Sequence, residues 1–273
     1  MSDDARVNYE TREEGRVAVV SMARVRYRNA LSPQMMEELQ AAFDRAVADD
    51  EVHVIVLRGE GPSFSAGHDL GSPDMGSREE REAAPMSAKY SRSRALDPDP
   101  LLRFRAIPKP TIAMVQGHCI YAAWMLASSM DVIFAAEDAQ FLATNFQYFS
   151  VPWDIGARRA KHLLFENRFI DGREAHEIGF VQDVFPEERL EEETIAYASR
   201  VAEMDPFQLQ MMKHSINQMQ EMQGFTAHIM SSHSDRMVRA ANDVQPTVES
   251  GDSESGRRLY VNVERARSRR QDG

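Results

Sequence analysis

One cysteine, Cys119, stands in 273 residues. An intramolecular disulfide is therefore impossible, and so is a cysteine zinc cluster. Positive charge is also short: 32 Lys and Arg face 43 Asp and Glu, a net charge of −11, the wrong sign for a chain built around nucleic-acid phosphates. No apolar run is long enough for a membrane helix, because the most apolar stretch, residues 111–136, is interrupted by Gln116, His118 and Asp131. The start, Met1-Ser2-Asp3-Asp4-Ala5-Arg6, has no basic start followed by an apolar run, so no secretory signal is expected. Gly-x-x-x-x-Gly-Lys-Ser/Thr, Gly-x-Gly-x-x-Gly, His-Glu-x-x-His and Gly-x-Ser-x-Gly are missing too, which argues against nucleotide hydrolysis, dinucleotide redox chemistry and zinc hydrolysis. His228 and His233, five apart on an expected helix, point in different directions and do not make a metal pair. The expectation that remains is a cytoplasmic protein that handles small molecules or other proteins, with no metal or redox cofactor.

What is present is ordinary for a globular chain: 42% apolar and 27% charged residues, with length enough to bury a core unaided. Residues 17–22 and 52–57 are short β-branched runs and read as strands. Between them Ser32-Pro33 is an N-cap followed by proline at the first helical position. Met35, Met36, Leu39, Ala42, Phe43, Ala46 and Val47 then recur on one face, which predicts a strand, helix, strand unit. Residues 111–116, 121–130 and 131–136 follow as strand, buried helix and strand, so the class is α/β. Residues 71–105 are polar and broken by Pro73, Pro85, Pro98 and Pro100; the expectation there is a mobile excursion with a single helix. From Gly156 onward the pattern is helical. Leu209, Met212, Ile216 and Met219 form a stripe suited to core or subunit interface. The glutamates from Glu187 to Glu193 read as a solvated helix face, and the arginines from Arg257 to Arg270 as a charged tail. The chain divides into a core, residues 1–200, and a C-terminal helical oligomerisation region with a basic tail, residues 201–273.

Two segments carry chemistry together. Phe64-Ser65-Ala66-Gly67-His68-Asp69-Leu70 follows a strand, and Lys109-Pro110-Thr111-Ile112-Ala113 leads through Gln116-Gly117 into the apolar helix near Tyr121. Arg28-Asn29-Ala30-Leu31, Met130-Asp131, Ala139-Gln140-Phe141 and Glu177-Ile178-Gly179-Phe180-Val181 complete the series. In this order and spacing the chain resembles the crotonase superfamily, also called the enoyl-CoA hydratase/isomerase family, over roughly residues 15–240. The resemblance implies a ClpP/crotonase-like fold, with repeated ββα turns forming two nearly perpendicular sheets. It also implies C-terminal helices that assemble a homotrimer or a homohexamer. The implied substrate is an acyl-CoA thioester, with coenzyme A as part of the substrate. In such a site the thioester carbonyl lies between two backbone N–H groups that stabilise an enolate, each worth about 3 kcal/mol in the transition state. By position those donors are the N–H groups of Ala66 and Ala122, the second at a helix start where unpaired N–H groups favour an anion. Ser65, Gly67, His68, Asp69 and Leu70 would line the substrate, and Arg28 would meet the CoA phosphates. Asp69 reads as a cap accepting backbone hydrogens rather than as an acid or base, and Lys109 as solvent-exposed.

The chain departs from the family pattern where the second motif normally runs through glycines, here Ile120-Tyr121-Ala122-Ala123-Trp124-Met125. Ala122 keeps its N–H, but Tyr121 and Trp124 change the room left for an acyl chain. The two glutamates that the family's hydratases use fall at Met125 and Asn145, whose side chains exchange no proton near neutral pH. A missing acid or base costs ~10²–10⁴ in rate. Asp154 is the first substitute: relatives that isomerise dienoyl-CoA or form carbon–carbon bonds carry an aspartate in that loop, and desolvation beside Trp153 would raise its pKa. Its other reading is a helix N-cap. Asn145 is suited to orient a water or hold a carbonyl, and His68, His118, Tyr121 and Tyr148 are weaker candidates at the pocket. Ser65, His68 and Asp69 have the types of a hydrolytic triad but stand too close on one turn to face one another. The sequence supports an enoyl-CoA hydratase/isomerase-like enzyme with atypical acid/base residues. Against it stand a non-catalytic acyl-CoA-binding protein and a crotonase-fold decarboxylase, hydrolase or C–C lyase.

Overall fold

The computed structural model describes residues 5–143 and 147–242. Within them β1 (Val7–Arg12), β2 (Val17–Met22), β3 (Val54–Gly59), β4 (Thr111–Val115), β6 (Val132–Ala136) and β9 (Asp183–Phe185) form one sheet in the order β1-β2-β3-β4-β6-β9. A smaller sheet holds β5 (His118–Ile120), β7 (Gln140–Leu142) and β8 (Ile170–Asp171) in that order. β1 lies antiparallel to β2, and the remaining pairs of the large sheet are parallel. Parallel neighbours need a crossover, and helix α1 (Pro33–Ala48) supplies it between β2 and β3. Both faces of the central strands are covered, so β2 and β4 are buried along their whole length. Helix α1 starts as its sequence predicts: Ser32 Oγ accepts the N–H of Met35 at 3.2 Å, and Met35, Met36, Leu39, Ala42, Phe43 and Ala46 are buried.

Each turn of the chain adds a strand to both sheets before a helix returns. β4 and β5 lead into α5 (Ala122–Ser128), and β6 and β7 into α6 (Val151–Ile155) and α7 (Ala157–Glu166). After β3 the segment at Ser65 takes the same place without lengthening into a strand, bridging Cys119 of β5 in parallel. This is the repeated ββα core that the resemblance implies.

Residues 71–105 differ from expectation. They fold into a 3₁₀ turn at Pro73–Met75 and three helices, α2 (Arg78–Ala83), α3 (Met86–Leu96) and α4 (Pro98–Arg105). Pro73 and Pro98 open their elements and Pro85 caps α3, positions where a missing N–H costs nothing. The same prolines that look like breakers in the sequence are helix starts in the fold. β8 and β9 interrupt the helical C-terminal pattern because two or three residues are too few to show a period. The chain continues through α8 (Gly172–Glu177), α9 (Glu187–Ala202), α10 (Pro206–Met222) and α11 (Phe225–Asn242). Glu191 is no freely solvated member of its face, since it pairs with Arg12 at 2.6 Å and Arg58 at 3.0 Å. On α10 Leu209 is buried, while Met212, Ile216 and Met219 are exposed. Residues 257–270 lie outside the described residues. No described helix is long and apolar enough to cross a membrane.

Candidate active site

Two loops cross at the N-terminal end of α5. The loop after β3 is pinned by two buried amides that sequence reasoning treated only as motif letters. Asn29 Nδ2 donates to the carbonyls of Glu60 and Ser63, both at 2.9 Å, and Gln116 Nε2 to those of Gly59 at 2.6 Å and Gly61 at 3.0 Å. Pairing then brings the loop against β5: Ser65 N–H donates to His118 O at 2.9 Å, and Ile120 N–H to Ser65 O at 3.2 Å. Gly67 has φ +85°, and a Cβ there would stand 2.4 Å from Ile120 O and 3.4 Å from Ala122 N. Only glycine permits so close an approach. On the other side Tyr121 holds φ 49° and ψ −102°, a conformation that glycine adopts freely and that costs tyrosine ~1–3 kcal/mol. Its N–H donates to Leu142 O at 2.8 Å.

Hydrogen-bond bookkeeping decides which N–H groups stay open. In the parallel bridge between Leu31 and His68, Leu31 N–H donates to Gly67 O at 2.8 Å and Asp69 N–H to Leu31 O at 3.0 Å. The N–H of His68 therefore points to the opposite side. Among the described residues it has no acceptor, and neither has the N–H of Ala122, the first residue of α5. Ala66 is different, because its N–H donates to Arg28 O at 2.9 Å. The expected pair of donors, Ala66 and Ala122, therefore fails at Ala66, and the open N–H groups at this crossing are those of His68 and Ala122. Two open N–H groups beside one glycine crossing can hold a carbonyl or an oxyanion.

Several expected substrate-lining side chains are committed within the protein. Ser65 Oγ donates to Asn29 O at 2.7 Å and accepts the N–H of Gly67 at 3.1 Å. Asp69 Oδ1 accepts the N–H groups of Gly71 at 3.1 Å and Ser72 at 2.9 Å. Its Oδ2 takes the Ser72 hydroxyl and Arg24 Nη1, the latter at 2.9 Å. Burial alone would raise the Asp69 pKa, but these donors outweigh it and hold the carboxyl below its usual range. Ser65 and Asp69 therefore shape the loop instead of facing a ligand. Lys109, expected in solvent, instead donates to Ala46 O at 2.9 Å in the last turn of α1 and to Asp49 O at 2.6 Å just past its end. Arg28 is exposed, beside the crossing through its own carbonyl, and Leu70 is exposed as well. His68 places ring Nε2 2.6 Å from Asp97 Oδ1, a partner that no sequence signal suggested.

On the helix side, Met125 lies one turn beyond Ala122 and is fully buried. Trp124 is fully buried, stacked on Phe180 at 3.7 Å between ring centroids and edge-on to Phe141 at 5.9 Å. Tyr121 packs with Ile120, Leu142 and Phe169, and burial raises its pKa. His118 meets the Phe169 ring edge-on at 6.5 Å. Asn145 lies outside the described residues. Tyr148 is fully buried, with no described partner for its hydroxyl; burial, reinforced by the nearby Asp154 carboxylate, raises its pKa.

Asp154 stands elsewhere. Its Oδ2 accepts the hydroxyls of Ser128 and Ser150, both at 2.9 Å. Ser128 closes α5 six residues after Ala122, which is ~9 Å along the axis. The residue keeps some contact with solvent, yet its carboxyl is packed deeply enough that burial pushes the pKa up to about 7, against the lowering effect of Ser128, Ser150 and the Trp124 indole. The carboxyl is thus held by two hydroxyls beside the Trp124 indole. Asp154 is no N-cap, since it sits inside α6. Among the described residues no group of three or more His, Cys, Asp or Glu could hold a metal ion.

Residues 12–252 match the family model described as enoyl-CoA hydratase/isomerase. A Mycobacterium tuberculosis protein carrying the name enoyl-CoA hydratase EchA13 is 37% identical over 242 residues, 81% of this chain and 76% of that protein. The mitochondrial enoyl-CoA hydratase domain-containing protein 3 of Danio rerio is 32% identical over 211 residues, covering 74% of this chain and 70% of its own. A crystal structure from Mycobacterium thermoresistibile, described as an enoyl-CoA hydratase, aligns with TM-score 0.79 at 35% identity, over 87% of this chain and 97% of that one. An enoyl-CoA hydratase/isomerase structure from Xanthobacter autotrophicus Py2 aligns at 0.76 and 32%, over 86% and 87%.

Proposed function

The chain belongs to the enoyl-CoA hydratase/isomerase family, and from that premise we propose that it binds an acyl-CoA thioester with the carbonyl oxygen between the N–H groups of His68 and Ala122. The observation that carries this reading is the pair of open N–H groups at the crossing of Gly67 over Ile120 and Ala122. Neither donor has to be released from another acceptor when an enolate forms there. Such donors are worth about 3 kcal/mol each in the transition state. The exposed Arg28 would meet the CoA phosphates. A net charge of −11 does not oppose this, because one local cation acts at contact distance while distant charges are screened.

The chemistry that fits is an isomerase- or lyase-type step through the enolate. Hydration by a glutamate pair fits less well, since the buried Met125 has no proton to exchange. Coenzyme A enters and leaves as part of the substrate. The apolar residues Met212, Ile216 and Met219, exposed along α10, suit burial against further copies of the chain as a homotrimer or homohexamer. A cytoplasmic setting, where the buried thiol of Cys119 would stay reduced, belongs to the same proposal.

A panel of enoyl-, dienoyl- and 3-oxoacyl-CoA thioesters tests the reading, followed by mass change or loss of conjugation. Conversion of at least one class is expected. Tight binding without conversion would identify a non-catalytic acyl-CoA-binding protein, the reading that the missing glutamates favour. No binding at all would overturn both.

A further inference from the structure

Enolate chemistry moves a proton, and the two places where the family's hydratases carry glutamates hold Met125 and Asn145. Building on the carbonyl site of the preceding section, we propose that His68 supplies the proton-transfer group through ring Nδ1 and that Asp97 is its positioning residue. Asp97 ends α3 and opens α4, and its Oδ1 lies 2.6 Å from His68 Nε2, with the two side chains 3% and 25% exposed. A carboxylate only accepts, so the ring proton sits on Nε2 and Nδ1 is left with its lone pair. Among the described residues Nδ1 has no hydrogen-bond partner, and it is not one of the buried unpaired atoms. The N–H of the same residue is one of the two open donors. A basic nitrogen and the carbonyl pocket are therefore tied together within one residue.

The surroundings commit Asp97 to this pairing. Its second oxygen is buried with no described partner. The charged groups that interact electrostatically around it are His233 and Arg236 of α11 with Asp97, and Arg94 and Asp99 with His233. His233 itself is occupied by the Ser93 hydroxyl at 3.1 Å and by the Tyr90 ring, edge-on at 5.0 Å. In the step itself the C–H bond at the thioester α-carbon breaks and its electron pair forms the enolate double bond. The carbonyl π pair moves onto the oxygen held by His68 and Ala122, and the proton passes to Nδ1. The imidazolium so formed is paired with Asp97. Return of the proton to the α-carbon is simple exchange, and delivery to the γ-carbon of a 3-enoyl thioester shifts the double bond.

Deuterium uptake at the α-carbon of a saturated acyl-CoA in heavy water, read by mass spectrometry, tests the pair. The wild type exchanges, and His68→Gln, which keeps the backbone N–H, slows exchange ~10²-fold or more. Asp97→Asn gives a similar loss in the exchange rate at saturating acyl-CoA and leaves the half-saturating concentration unchanged, a split that a purely structural role would not produce. Imidazole in the buffer restores part of the exchange to His68→Gly. The infrared stretch of a ¹³C-labelled thioester carbonyl reads the donors separately, and it falls on binding to wild type and His68→Gln alike. Undiminished exchange in folded His68→Gln with that carbonyl shift retained overturns the proton-transfer pair and leaves the carbonyl site standing. Loss of exchange with no imidazole rescue, together with an Asp97→Asn variant that exchanges like the wild type or loses acyl-CoA binding in step with rate, overturns the pair as well. A wild type without the carbonyl shift overturns the carbonyl site itself.

Discussion

The two ends of α5 treat polar groups in opposite ways. At the N-terminal end Ala122 and the adjoining His68 leave N–H groups open, and Met125, one turn on, offers no acid. At the C-terminal end the Asp154 carboxyl is an acid with its pKa pushed up to about 7, already satisfied by the hydroxyls of Ser128 and Ser150. The most perturbed acid is thus already hydrogen-bonded within the protein, while the open donors are not. Burial alone is enough to raise a carboxyl pKa, whereas a site for a reacting carbonyl needs donors that the protein has left unused. Of the two marks, the unused donor is the better guide to where a thioester would react.

The largest effect that would sharpen this contrast is expected from Gly67→Ala. The new Cβ would stand 2.4 Å from Ile120 O at a φ of +85°, so the loop must withdraw from Ala122 and carry the His68 N–H with it. Turnover of whichever thioester is converted should fall ~10²–10³-fold, measured as kcat/KM, and activity within threefold of wild type would break the contrast. Asp154→Asn comes next and should leave kcat/KM within about threefold while changing stability. The carboxyl has a folded pKa of about 7 against an ordinary value of 3.8. Between those values the folded state holds a proton that the unfolded state has released, so stability falls as pH rises through this window. The asparagine variant should match the wild-type Tm at low pH and exceed it near pH 8.5 by several degrees. A hundredfold loss of turnover in Asp154→Asn would instead return the acid to the reaction. The smallest effect belongs to Ser128→Ala, which removes one of the two hydroxyl donors. It should cost about 1 kcal/mol in denaturant unfolding above pH 8 and less at pH 5, with turnover unchanged.

Much of the scaffold was legible because its signals are local. Ser32-Pro33 and the apolar face of α1 specify a helix start and a buried side within a few residues, and the β-branched runs of β2 and β3 need no distant partner to be recognised. Residues 71–105 were misread because proline marks a break and a helix start with the same letter. At the site, Ala122 could be placed because a helix start leaves its N–H groups open wherever it occurs. Ala66 could not be told from His68, since which of the two points its N–H inward depends on the pairing of that loop with Leu31 and Arg28. Asp97 was invisible as a partner of His68 for the same reason: it comes from the junction of α3 and α4 within the misread segment.

By itself the sequence determined the α/β class, the resemblance to the family and the lack of ionisable groups at Met125 and Asn145, because these follow from residue types and their order. Only the tertiary structure decided which N–H groups remain unused, which nitrogen of His68 is open and which hydroxyls hold Asp154. Each of those depends on hydrogen-bond partners from distant parts of the chain, and a partner taken or left free is a property of the fold, with no local pattern to announce it.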